Sequence, residues 1–243
     1  MTTMLTFYYI LAFMNVFMAG MLVLNNTFAT KKAVWYLLTV LWILQVFCYF
    51  SHVGYYPLSG IAPTCTIAAL TLCLCQSLSL TRDVGSKRPF FSGMGLLVLA
   101  VVSLVPENVP HNSFMMSYLF AILFFLSRPF SLGLTLYALA GMGHLFREGA
   151  DNRIYRTSKD AAFLASIIFL GGEIVGCYWG FMGWGTTWRW SGNFQFSAML
   201  FVLYMVSLHV PATLFRSRKG YNMAFSAPLV CVVFCMLISK VIS

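Results

Sequence analysis

The chain is a succession of uninterrupted apolar runs of about twenty residues, the length needed to cross a hydrocarbon core of ~30 Å. This feature decides the fold class. In lipid every backbone amide must be satisfied within its own structure, which leaves only helices and closed barrels. The runs are continuous rather than alternating, so they read as helices. Composition agrees, with 60% of residues apolar and 9% charged, against about 25% charged in a soluble domain. The expected architecture is an all-α polytopic transmembrane bundle of about eight helices, near 4–24, 33–50, 61–80, 90–105, 118–146, 161–181, 194–215 and 223–241. The fourth run is short, and the fifth is long and interrupted by Arg128-Pro129.

The connecting loops are short and free of linkers or low-complexity tracts, so residues 1–243 read as a single integral membrane domain. The first run, Met4 to Leu24, lacks a basic leader and a small-residue cleavage site, and reads as a retained helix. Orientation follows from the basic residues of the loops. Loops one, three, five and seven hold Lys31, Lys32, Arg82, Lys87, Arg88, Arg147, Arg153, Arg156, Lys159, Arg216, Arg218 and Lys219, twelve of the fifteen. The even loops hold only Arg189. Odd loops are therefore expected on the cytoplasmic side of a membrane, most simply the inner membrane of a prokaryote, with both termini and the even loops outside. The net charge of +9 is this asymmetry, helped by anionic lipid on that leaflet, and no sign of nucleic-acid binding.

Chemistry-bearing motifs are few. There is no G-x-S-x-G, Walker, H-E-x-x-H or Rossmann pattern to support a hydrolase or transferase. The seven cysteines (Cys48, Cys65, Cys73, Cys75, Cys177, Cys231, Cys235) fall in apolar runs, with no C-x-x-C pair and no C-x-x-C-H haem-attachment motif. They read as small packing residues, with a redox pair as the alternative.

The exception is the run Trp179-Gly-Phe-Met-Gly-Trp184-Gly-Thr-Thr-Trp188-Arg-Trp190-Ser, which holds four of the six tryptophans. An interfacial aromatic belt would spread its rings over all the helix ends. Here they cluster in one expected outer loop, the sixth, interleaved with Gly and Thr. Such a segment offers broad apolar faces and close backbone approach, suited to a flat hydrophobic ligand.

This stretch resembles the Trp-rich "WWD" signature of the haem-handling membrane proteins of cytochrome c maturation, above all the CcsA/ResC branch. The resemblance runs from Gly176-Cys-Tyr-Trp179 through Trp184-Gly-Thr-Thr-Trp188-Arg-Trp190 to Leu208-His209. His209 falls eighteen residues after Ser191, the family's spacing from the signature acid to a haem-ligating His within the membrane. A second segment, His52-Val-Gly-Tyr-Tyr-Pro57-Leu58-Ser59, is similar to a His-aromatic-Pro-Leu-Ser segment of that family. The resemblance implies a CcsA-like membrane fold, non-covalent b-type haem, and a cytochrome c or apocytochrome partner on the periplasmic face. The chain also departs from the family. Ser191 replaces the signature's terminal acid, Arg128 is the nearest equivalent of an outward-facing His at the start of the helix at 118–146, and no His follows His209.

Read from the residues alone, the four histidines form two candidate axial pairs for haem iron. His144 closes the fifth helix at its cytoplasmic end, and His209 lies about fifteen residues into the seventh, ~22 Å deep. Two His at similar depth are what a six-coordinate b-type haem needs. His52 and His111, at the ends of the second and fourth loops, are the outer pair. For each, a hydrogen-bonded structural His is the alternative. Two charges sit inside spans, Arg128 in the fifth helix and Glu173 in the sixth. Intramembrane charge is costly, and is as a rule paired or functional. The two residues form a structural ion pair, or Arg128 takes a haem propionate with its planar fork and Glu173 accepts a proton from a quinol.

Three functions are thereby expected to compete. One is haem handling in cytochrome c biogenesis, as a component of a haem lyase or synthase. Another is a b-haem-binding, quinol-oxidising subunit passing electrons to an outer-face cytochrome c and assembled with another membrane subunit. The third is a haem-free membrane anchor.

Overall fold

The computed structural model describes residues 2–25, 31–53, 60–81, 89–105, 119–148, 151–187 and 192–242. Among them there are eight α-helices and no strand: α1 (Thr2–Leu24), α2 (Lys32–Val53), α3 (Ile61–Thr81), α4 (Pro89–Val102), α5 (Leu119–Glu148), α6 (Asn152–Trp184), α7 (Gly192–His209) and α8 (Arg218–Ile242). Six are long and apolar enough to cross a membrane, while α4 and α7 are shorter apolar helices. The protein is thus an all-helical chain of the membrane-spanning kind.

Several boundaries differ from those expected. Helix α6 begins at Asn152, nine residues before the apolar run. The Asp151 carboxylate caps it by accepting from the backbone N–H of Arg153 and Ile154, so the polar segment 152–160 extends the helix beyond the lipid-length portion. The same helix continues to Trp184 and ends where Gly185 adopts φ 71°, its N–H donating to the Phe181 carbonyl. Glycine reaches this left-handed conformation at little cost. Trp179 and Trp184 therefore stand on the last turns of a helix rather than in a loop. Helix α7 ends at His209 instead of residue 215, because Pro211 disfavours helix in the residue before it. Helix α8 starts early, at Arg218, where the Ser217 hydroxyl accepts from the Gly220 N–H and so caps it.

The helices cluster in two compact units, Met1–Asn112 and Ser113–Ser243. In the first unit α1 packs on α2 and α4, and α3 on the same two helices, closing a ring of four. Its core is built on Trp35, Leu38, Trp42, Leu72, Leu96 and Leu99, all fully buried. A polar seam crosses it. Asn15 Nδ2 donates to Gln45 Oε1 at 2.7 Å, Gln45 Nε2 reaches Ser103 Oγ at 3.5 Å, and the Tyr8 hydroxyl donates to the Ser103 carbonyl at 2.8 Å. Without lipid-side partners for such groups, interhelical hydrogen bonds are the way to bury them.

The second unit closes a ring in the same order, with α5 and α7 each packed on α6 and α8. Neighbours run antiparallel, so the ends of α5 and α7 nearest Leu119 and Gly192 lie with Trp184 and Lys240, and the opposite ends lie with Asn152 and Arg218. The closest approach is between α5 and α6. Gly172, Gly176 and Gly180 recur every fourth residue of α6 and are buried. A Cβ at Gly172 would collide with the Ser127 hydroxyl, and one at Gly176 with the Phe124 ring. Small residues at this spacing let two membrane helices approach backbone to backbone.

Candidate functional site: an aromatic ladder over a buried ion pair

That close approach positions the residues of interest. Arg128 stands about 13 Å into α5, and Glu173 about 16 Å back from the end of α6, counted at ~1.5 Å per residue. The glycine contact brings the two helices together at this depth. Arg128 Nη2 donates to Glu173 Oε1 at 3.0 Å and to Ser197 Oγ of α7 at 2.8 Å. The side chains are 18% and 15% exposed, so the pair is largely withdrawn from the surface of the unit. Arg128 Nε is buried and makes no hydrogen bond. The guanidinium also lies over the Phe124 ring, 4.6 Å from its centroid. Of the two readings the sequence left open for these charges, the ion pair is present. It ties three helices together.

Above the pair, toward the Trp184 end, the rings form a ladder. Phe124 and Phe125 of α5 both meet Trp179 of α6, with centroids 6.1 and 5.9 Å away. Trp179 meets Trp184 edge to face at 5.3 Å, and Phe120 meets Tyr178 at 4.7 Å. The Lys240 ammonium of α8 lies 5.9 Å from the Phe125 centroid. Trp179 is half-buried, whereas Trp184 is 48% exposed. Trp188 and Trp190 follow directly in sequence and lie outside the described residues, as does Ser191.

The histidines are placed differently from one another. His144 is buried in α5. His209, the last residue of α7, is exposed, and its Nδ1 lies 2.9 Å from the Met205 carbonyl. A carbonyl can only accept, so Nδ1 is the donor in this contact, which leaves Nε2 as the ring nitrogen that a metal could take. α5 and α7 are the diagonal members of the ring. The space between these helices is filled by Tyr204, fully buried, whose hydroxyl lies 2.7 Å from both Ser131 Oγ and Thr135 Oγ1. His52 stands in the last turn of α2, within the first unit, with its side chain outside the described set, and His111 lies outside the described residues.

Haem would meet fitting groups in two places. The Trp179–Trp184 ladder supplies apolar faces beside the cations Arg128 and Lys240, and His209 supplies one open imidazole nitrogen. The packed interior beside Tyr204 does not fit a porphyrin. Among the described residues no three His, Cys, Asp or Glu side chains group as a metal site, and all seven cysteines are free thiols. Comparison with known proteins adds nothing to this geometry: no family model and no curated protein matches the chain.

The sequence reading missed three features. The glycine spacing at 172, 176 and 180 was legible as a small-x-x-x-small pattern. Asn15 and Gln45 were legible as amides inside apolar runs. Lys240, near the C-terminus, carried no signal, because only helix packing brings it to Phe125.

Proposed function

We propose that the protein handles haem in the membrane, in the manner of the cytochrome c biogenesis proteins, with the Trp184 end of the second unit as the place where haem is held. The observation that carries this is the ladder of Trp184, Trp179, Phe124 and Phe125 directly over Arg128. Clustered aromatic rings offer apolar faces to a flat hydrophobic ring, and a guanidinium against one of them, Phe124, suits its carboxylates. The resemblance of Gly176–Trp190 and His209 to the CcsA/ResC signature supports the reading from an independent direction. Haem is then cargo, presented to an apocytochrome on the outer face, and the inner-membrane orientation with both termini outside follows from the basic loops.

A second reading, oxidation of a quinol with electrons passed by a retained b-type haem to an outer cytochrome c, has one observation in its favour. Glu173 is a carboxylate inside the bundle, 15% exposed, within reach of a ligand that approaches the ladder. The ion pair with Arg128 works against it, since the carboxylate is already engaged by the guanidinium. In cells lacking the gene, loss of mature c-type cytochromes is the outcome expected of haem handling. Normal maturation with quinol-driven reduction abolished would replace the first reading by the second.

A further inference from the structure

The opposite end of the second unit carries a cluster that haem handling does not use. Tyr155 of α6 holds two cations against one ring. Lys159 Nζ lies 5.7 Å, and the Arg218 guanidinium of α8 5.3 Å, from its centroid. Arg218 is further fixed by donating from Nη2 to Asn152 Oδ1 at 2.8 Å. The ring itself is braced by Tyr221, at 6.0 Å, and Tyr221 in turn by Phe215, at 6.0 Å. Among the described residues neither cation pairs with a carboxylate. Arg153, Arg156, Arg216 and Lys219 stand exposed nearby on the same two helices and their connection. The same segments also carry two carboxylates, Asp151, engaged as the cap of α6, and Asp160, exposed.

Repulsion among these cations is eased when an anion sits between them. The connection between α7 and α8 indicates the source. Its short 3₁₀ turn, Ala212–Leu214, is exposed, with Leu214 75% exposed, beside the point where the apolar runs end. An anion bound here therefore has apolar surface next to it, which suits an acyl chain and not a soluble phosphate. We propose that Lys159 and Arg218, held on Tyr155, form a headgroup site for an anionic phospholipid, its phosphodiester between the two cations and its chains along the exposed turn. Guanidinium and ammonium both bind phosphate, and basic pockets between membrane helices are suited to anionic headgroups. The inference is independent of the haem reading.

Native mass spectrometry of the full-length protein in neutral detergent tests it, by titration with phosphatidylglycerol and phosphatidylcholine of matched chains. The expected result is preferential binding of phosphatidylglycerol, weakened about thirtyfold in Lys159→Gln/Arg218→Gln and unchanged in Lys31→Gln/Lys32→Gln. If the double variant fails to fold, Lys159→Gln alone is expected to weaken binding about fivefold. Equal binding of the two lipids, or an unweakened variant, would overturn the proposal. So would inorganic phosphate displacing the lipid at equal concentration, which would mark a soluble-anion site instead.

Discussion

At the scale of residues, the Arg128–Glu173 pair separates structure from function. Breaking a largely buried pair leaves one uncompensated charge, at a cost of about 3–5 kcal/mol. Arg128→Met and Glu173→Leu are each expected to lower the melting temperature in detergent. The double variant should recover much of the loss, because an apolar pair of similar volume replaces the charges without strain. If Arg128 also serves haem, the double variant regains stability and not haem retention, a split that a purely structural pair would not show. The Tyr204 hydroxyl is a milder case. Ser131 Oγ still donates to the Ala165 carbonyl and Thr135 Oγ1 to the Ser131 carbonyl, so Tyr204→Phe should cost about 1 kcal/mol. Arg128 and Glu173 were legible in sequence because charge inside an apolar run is rare. Their pairing was legible as one of two options, and Ser197 as third partner was not, since one serine among apolar residues carries no signal of depth or direction.

At the scale of elements, the α5–α6 contact rests on glycines that differ from their neighbour. Gly171 faces open space and Gly172 faces Ser127. Gly171→Ala should therefore be neutral or stabilise by about 0.5–1 kcal/mol through helix propensity. Gly172→Ala should cost about 1–3 kcal/mol through overpacking, and thermal unfolding of the pair of variants checks the contrast. Element existence was readable from the apolar runs, all eight of which are helices. Element ends were less so. The start of α6 at Asn152 is set by a side-chain cap on a polar segment, which hydropathy does not register. Its end at Trp184 is set by a single glycine at φ 71°, in a sequence with glycines on either side. Reading Trp179 and Trp184 as loop residues followed from that ambiguity.

At the scale of the whole molecule, the class of fold was legible because the bilayer admits so few alternatives, while the grouping into two four-helix units was not. Apolar runs state how many helices there are, and neighbour choice depends on contacts such as Gly176 against Phe124 or Asn15 against Gln45. Orientation is tested by reporter fusions: at Asp151 they should read cytoplasmic and near Gly192 exterior, and the reverse would put the Trp end on the wrong side. Haem itself is the central claim. The most direct measurement is the reduced-minus-oxidised absorption spectrum of the protein purified from haem-replete cells, beside that of Trp179→Ala/Trp184→Ala/Trp188→Ala/Trp190→Ala. A b-type spectrum in the native protein, lost or strongly diminished in a variant that remains folded and membrane-inserted, is the expected result. Native protein that carries no haem, or a variant that keeps the full spectrum, would contradict the account.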